Sequence, residues 1–121
     1  MPARVSDAEW EILRFLWANG EATAAEVVAA LQETTTWKPT TIKTLLSRLV
    51  KKRVVGFRAE IRGYGYFPLM TEAECARAER QVFLQKVYQG NVRPMLAAFL
   101  SDEALTPEDI EALKRLLEER S

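Results

Sequence analysis

Residues 38–62 read KPTTIKTLLSRLVKKRVVGFRAEIR, and the rest of the 121-residue chain is organised around them. From Pro39, which suits the first turn of a helix, the apolar residues Ile42, Leu45, Leu46 and Leu49 recur at helical spacing. After Arg53 the period drops to two. Val55, Phe57, Ala59 and Ile61 alternate with Gly56, Arg58, Glu60 and Arg62, the rhythm of a strand. Eight basic residues against the single acid Glu60 give this block a net charge of +7, whereas residues 1–37 carry −4 and residues 63–121 carry −3. The neutral total therefore hides one basic block. A polyanion docked on it explains the asymmetry, because phosphate neutralisation with counterion release is the main source of nucleic-acid affinity.

Upstream, Ser6 and Glu9 form a capping box for a helix carrying Trp10, Leu13, Leu16 and Trp17, with Ile12 and Phe15 alongside, and Asn19-Gly20 stops it. Thr23 and Glu26 start a short second helix with Val27, Val28 and Leu31 on its apolar stripe. A Thr-rich loop with Trp37 leads into the third. Downstream, Gly63-Tyr64-Gly65 reads as a turn and Tyr66–Leu69 as the returning strand. Three helices followed by a hairpin is the order of a winged helix-turn-helix. Three further helices follow: from Thr71 to about Gln89, from about Asn91 to Leu100, and from the capped start Thr106-Pro107-Glu108-Asp109. The expected fold is mainly α with a small β-hairpin. It combines a winged-helix DNA-binding domain over residues 1–70 with a helical dimerisation region over residues 71–121. The late helices are short and carry apolar faces at Phe83, Val87, Leu96, Phe99, Ile110, Leu113 and Leu117. A second copy of the chain is the simplest cover for them, so the expected partner is self, as a homodimer.

Composition narrows the function. Hydrophobic residues make up 48% and charged residues 28%, as in an ordinary soluble domain, and neither a membrane-length apolar run nor a leader pattern is present. A cytoplasmic location follows as the expectation. With one cysteine and no histidine, Cys/His zinc sites and histidine acid–base chemistry are excluded, and no carboxylate constellation suggests an enzyme. No cofactor or metal is expected. Cys75 reads as an incidental small residue at a polar helix start.

Within the basic block the roles divide by position. Pro39, Thr40 and Thr41 stand at the helix end that usually enters the major groove, where hydroxyl and backbone N–H groups can donate to phosphate, with a plain helix cap as the alternative for Thr40. Lys43, Thr44, Ser47 and Arg48 follow around the polar arc. Thr44 suits a thymine methyl; Arg48 and Lys43 suit guanine N7 and O6, with a phosphate contact or an ion pair as the alternative. Lys51 and Lys52, a turn further on, read as phosphate neutralisers, and Arg58, Arg62 and Tyr64 as wing contacts to phosphate or the minor groove, with turn packing as the alternative for Tyr64. Trp10 and Trp17 belong on the apolar stripe and read as core.

The segments SDAEWEILRFLW, WKPTTIKTLLSRLVKKRVV, GYGYFPLMTEAE and FLQKVYQGNV resemble the penicillinase-repressor family (BlaI/MecI/CopY type), along almost the whole chain. The run W-x-P-x-T-I-x-T-L-x-x-R-L at Trp37–Leu49 carries most of the specificity. The resemblance implies a homodimeric repressor on a double-stranded palindromic operator with TACA/TGTA-like half-sites. It also implies relief of repression through a protease or sensor-transducer in some members and through copper in others. The terminal paired cysteines of the copper type are missing, since the tail ends RLLEERS. The bond that the proteolytic type would offer matches Ala98-Phe99, with Ala in place of the Asn that usually precedes the Phe. A copper-type or other-signal repressor of the same family is one alternative, and a winged-helix protein-interaction module is another. The second would not need a basic helix face and wing arginines together.

Overall fold

The computed structural model describes residues 4–61 and 63–120. Its order is α1 (Asp7–Asn19), β1 (Ala22–Thr23), α2 (Ala24–Gln32), α3 (Pro39–Lys51), β2 (Val55–Glu60), β3 (Gly63–Pro68), α4 (Glu72–Tyr88), α5 (Val92–Asp102) and α6 (Pro107–Arg120). The mainly helical fold with a small sheet is therefore present. The chain divides into two compact units after Arg80.

In the first unit, local capping sets the helix starts. Ser6 and Glu9, and Thr23 and Glu26, exchange side-chain and backbone hydrogen bonds at the first turns of α1 and α2. Gly20, at φ 88°, ends α1 with its N–H donating to the Leu16 carbonyl at 2.6 Å. Ile12, Leu13 and Leu16 of α1, Val27 and Leu31 of α2, and Ile42, Leu45, Leu46 and Leu49 of α3 converge in one core. Val54 and Val55 complete it, fully buried where the chain turns from α3 into β2. Each large aliphatic side chain so buried contributes about 1.5–3 kcal/mol, so α3, with four of them, is firmly seated. Trp10 and Trp17 pack against this core as expected, edge to face at 5.5 Å, and the Trp17 indole N–H donates to the Met70 carbonyl at 2.9 Å.

The sheet corrects the sequence reading in three ways. It has three strands in the order β1-β3-β2, because the two-residue β1 pairs antiparallel with β3, Ala22 opposite Tyr66 and Thr23 opposite Gly65. Two residues are too few to show any periodicity in the sequence. The reversal also lies earlier than Gly63-Tyr64-Gly65: Glu60 pairs with Gly63 and Ala59 with Tyr64, so those three residues belong to β3. Gly63 takes φ 117°, which a side chain would resist. Finally, the alternation in β2 does not mark a buried face. Only Val55 is buried; Phe57 is half exposed and Ile61 fully exposed, since the outer hairpin extends past the helices that cover its base.

The first unit also runs to Arg80, beyond the expected boundary at residue 70, and Cys75 in the first turn of α4 belongs to its core. Cys75, expected to be incidental, is 3% exposed there. Burial, and behind it the carboxylates of Glu74 and Glu79, push its thiol above the usual range, so it is a packing residue rather than a reactive one.

In the second unit, Phe83 stacks on Phe99 at 6.2 Å with the rings 19° apart, and meets Tyr88 edge to face at 5.8 Å. None of its described residues is buried.

Candidate nucleic-acid interface

The loop before α3 is tied down by its threonines. Thr35 donates its hydroxyl to the Leu31 carbonyl at 2.8 Å and accepts from the Trp37 N–H at 3.3 Å, while the Gln32 amide donates to the Trp37 carbonyl. This delivers Pro39 to the first position of α3. Among the described residues no side chain caps that helix, so the Thr40 and Thr41 N–H groups remain for an outside acceptor at the positive end of the helix dipole.

Four buried residues of α3 fix its rotation, and the opposite arc is consequently presented to solvent. Pro39, Thr40, Thr41, Lys43, Thr44, Ser47, Arg48 and Lys51 are all exposed. Thr40, Thr41, Thr44 and Arg48 line one shallow groove with Leu45 at its floor. The Thr44 hydroxyl donates back to the Thr40 carbonyl at 2.9 Å, so its own donor is used and its methyl and the oxygen's acceptor lone pairs are left for contact. Arg48, Lys43 and Lys51 have no ion pair among the described residues, which leaves three cations along one helix face.

Lys52 is different. Its ammonium lies 2.6 Å from Oε1 of Glu9 and also donates to the Arg4 carbonyl at 2.8 Å. Glu9 is 1% exposed. Burial works against its charge, but the hydrogen bonds from Lys52 and Ser6 outweigh that and hold its carboxyl below the usual range. The sequence offers no hint of this in Lys52, one of three consecutive cations. Glu9 does carry a signal: it shares helical spacing with Ile12, Leu13 and Leu16, which puts it on the buried stripe as well as in the capping box.

The wing is likewise more self-occupied than its arginines suggest. Arg58 lies 4.6 Å from the centre of the Phe67 ring, and its Nε pairs with Glu21 at 3.1 Å. The Glu21 carboxyl also meets that of Glu60, which is pushed up by this neighbour. Tyr64 is exposed and stands edge to face with Phe57 at 5.3 Å. Arg62 lies outside the described residues.

In the second unit, Phe83, Val87, Leu96, Phe99, Ile110, Leu113 and Leu117 are all at least one-third exposed. The Ala98-Phe99 bond sits inside α5. Among the described residues, no group of three or more His, Cys, Asp or Glu could hold a metal ion, and no helix is long and apolar enough to cross a membrane.

Comparison with known proteins agrees with this geometry. The family model described as penicillinase repressor matches residues 5–119. The penicillinase repressor of Bacillus licheniformis is 34% identical over 116 residues, covering 96% of this chain and 91% of that protein. The methicillin resistance regulatory protein MecI of Staphylococcus aureus is 29% identical over 116 residues, covering 96% and 94%. Among solved structures, the Bacillus licheniformis BlaI monomer in complex with the blaP half-operator is similar to 61% of this chain and 90% of that one, with 35% identity and a TM-score of 0.55.

Proposed function

The chain belongs to the penicillinase repressor family, and on that premise we propose that it is a DNA-binding repressor of transcription acting as a homodimer on a palindromic operator. The observation that carries the reading is the free polar arc of α3. Three cations with no ion pair among the described residues and four hydroxyl side chains stand above a buried stripe that fixes their direction. The uncapped first turn of α3, with Thr40 and Thr41, grips phosphate. Lys43, Thr44, Ser47 and Arg48 face the base edges, and Lys51 neutralises a phosphate further along. The wing adds Tyr64, Arg62 and, once released from Glu21, Arg58.

A second copy covers the apolar faces of the helices after Arg80, so that two half-sites are read together. What supports this is the exposure of Phe83, Val87, Leu96, Phe99, Ile110, Leu113 and Leu117 in that region. The inducing signal is proposed to act there too. Cleavage at Ala98-Phe99 would require α5 to open locally first, because the bond lies in the middle of a helix.

Selection of bound sequences from random DNA tests the reading. Recovery of a palindrome supports a dimeric repressor. Enrichment of no sequence at all would refute it.

A further inference from the structure

We propose that Glu9 is a positioning residue for operator recognition, clamping the C-terminal end of α3 through Lys52, and that Lys52 therefore does not contact DNA phosphate. The inference rests on the repressor reading above and deepens it.

The end of α3 is an unusual place in the chain. Arg53 adopts φ 63°, the left-handed conformation that glycine normally supplies at a helix end. Around it the Arg53 N–H donates to the Val50 carbonyl and the Val54 N–H to the Leu49 carbonyl, both at 3.0 Å, the paired bonds of a Schellman stop. A non-glycine residue in this conformation is strained, so something must hold it. The adjacent Lys52 side chain does so. It reaches back to the first turn of α1, where Glu9 Oε1 accepts from both its ammonium and the Ser6 N–H, the latter at 2.8 Å. One carboxylate thus fixes the start of α1 and the end of α3, 43 residues apart. Immediately beyond the stop, Val54 and Val55 enter the core and β2 begins, so the clamp sets both where the recognition helix ends and where the wing starts.

Stability alone does not account for this arrangement. Glu9 Oε2 is buried with no hydrogen-bond donor against it among the described residues. An ion pair whose carboxylate is buried with one oxygen unsatisfied, as here with Lys52 partly exposed, commonly gains little stability over an apolar pair of similar size. Register is what such a pair supplies best.

The test uses the full chain with Glu9→Gln/Lys52→Met, which removes both charges together and leaves no buried charge unpaired. Wild type and double variant are titrated with a palindromic duplex selected by the wild type and with a scrambled duplex, across a salt series. Amide hydrogen exchange is followed at Arg53 and Val54. The expected result is a folded variant with faster exchange at those two amides and a roughly three- to thirty-fold loss of operator over scrambled DNA. Its salt slope should match that of the wild type. A slope flatter by about one unit would show that Lys52 neutralises a phosphate, which overturns the proposal. Unchanged discrimination with unchanged exchange overturns it as well. If the wild type selects no palindrome, the repressor reading fails separately, and the exchange at Arg53 and Val54 still decides whether the clamp exists. Lys52→Arg, which can still pair with Glu9, should restore most of the discrimination.

Discussion

The guanidinium of Arg58 rests on the ring of Phe67 and pairs with Glu21, so a wing cation that could face DNA is held by its own domain. Such a pair is screened and worth little to stability at the surface, but it withholds a charge from any incoming phosphate. Glu21→Gln should release Arg58 and at the same time remove a negative charge from the wing base. The expected outcome is tighter binding at low salt and a salt slope steeper by up to about one unit, with a nearly unchanged urea midpoint. A slope equal to that of the wild type would show that Arg58 stays on Phe67 in the complex.

Arg48 and Lys51 should separate by the kind of affinity they lose. Arg48→Ala is expected to cost about 1–3 kcal/mol of discrimination between operator and scrambled DNA. Lys51→Ala should weaken both duplexes about equally and flatten the salt slope by about one unit. Parallel losses on both DNAs for Arg48→Ala would reassign it to phosphate.

Acid stability should show two opposed effects. Glu60 is raised above its ordinary value of 4.5 by hydrogen bonding and repulsion from Glu21, with Arg58 acting the other way. The folded state then holds this proton more tightly than the unfolded chain, so stability rises as pH falls toward 4.5 from above. Glu9 is held below 4.5, so its contribution is full above that value and is lost as pH falls through its folded pKa. Glu26 and Glu74, lowered by their capping bonds to Thr23 and Thr71, act in the same direction as Glu9. Urea midpoints between about pH 7 and about pH 3 should therefore rise slightly and then drop. Glu60→Gln should remove the rise alone, and Glu9→Gln should soften the drop.

Arg53→Gly should stabilise the first unit by about 0.5–1 kcal/mol, because relief of the left-handed strain exceeds the added freedom of the unfolded chain. A urea denaturation series reads this directly. A lower midpoint would mean that the Arg53 side chain makes a contact worth more than the strain.

These outcomes follow from features of uneven visibility in the sequence. Capping boxes at Ser6, Thr23, Thr71 and Thr106, each built from residues three apart, are all formed, because capping is a local matter. The stripe Ile42, Leu45, Leu46 and Leu49 is buried as its spacing requires, and it fixes the polar arc of α3 without reference to anything distant. What sequence could not show depended on partners far along the chain. The strand β1 exists only because Ala22 and Thr23 lie beside β3. Lys52 and Arg58 read as free cations until Glu9 and Glu21, 43 and 37 positions earlier, are brought to them. Cys75 gave a misleading cue, since its neighbours Glu72, Glu74 and Glu79 are polar while its own face of α4 is covered.

The helices after Arg80 should be required for tight operator binding though not for folding of the winged unit. Among the described residues, the buried apolar core of that unit runs from Ile12 to Val55 and includes Cys75. A chain ending at Ala98 keeps that core and loses Phe99, Ile110, Leu113 and Leu117, four of the exposed apolar positions available to a second copy. One subunit covers a single half-site. Joining two makes the second half-site an intramolecular event at an effective concentration near the millimolar range, which multiplies affinity by about 10²–10⁴ without any new base contact. The truncated chain is therefore expected to be folded by circular dichroism, monomeric by sedimentation, and weaker on the palindrome by a factor approaching that range. On an isolated half-site it should bind as well as the full chain. A truncated chain that remains dimeric and binds the palindrome at full strength would place the joining surface in α4 or in the winged unit.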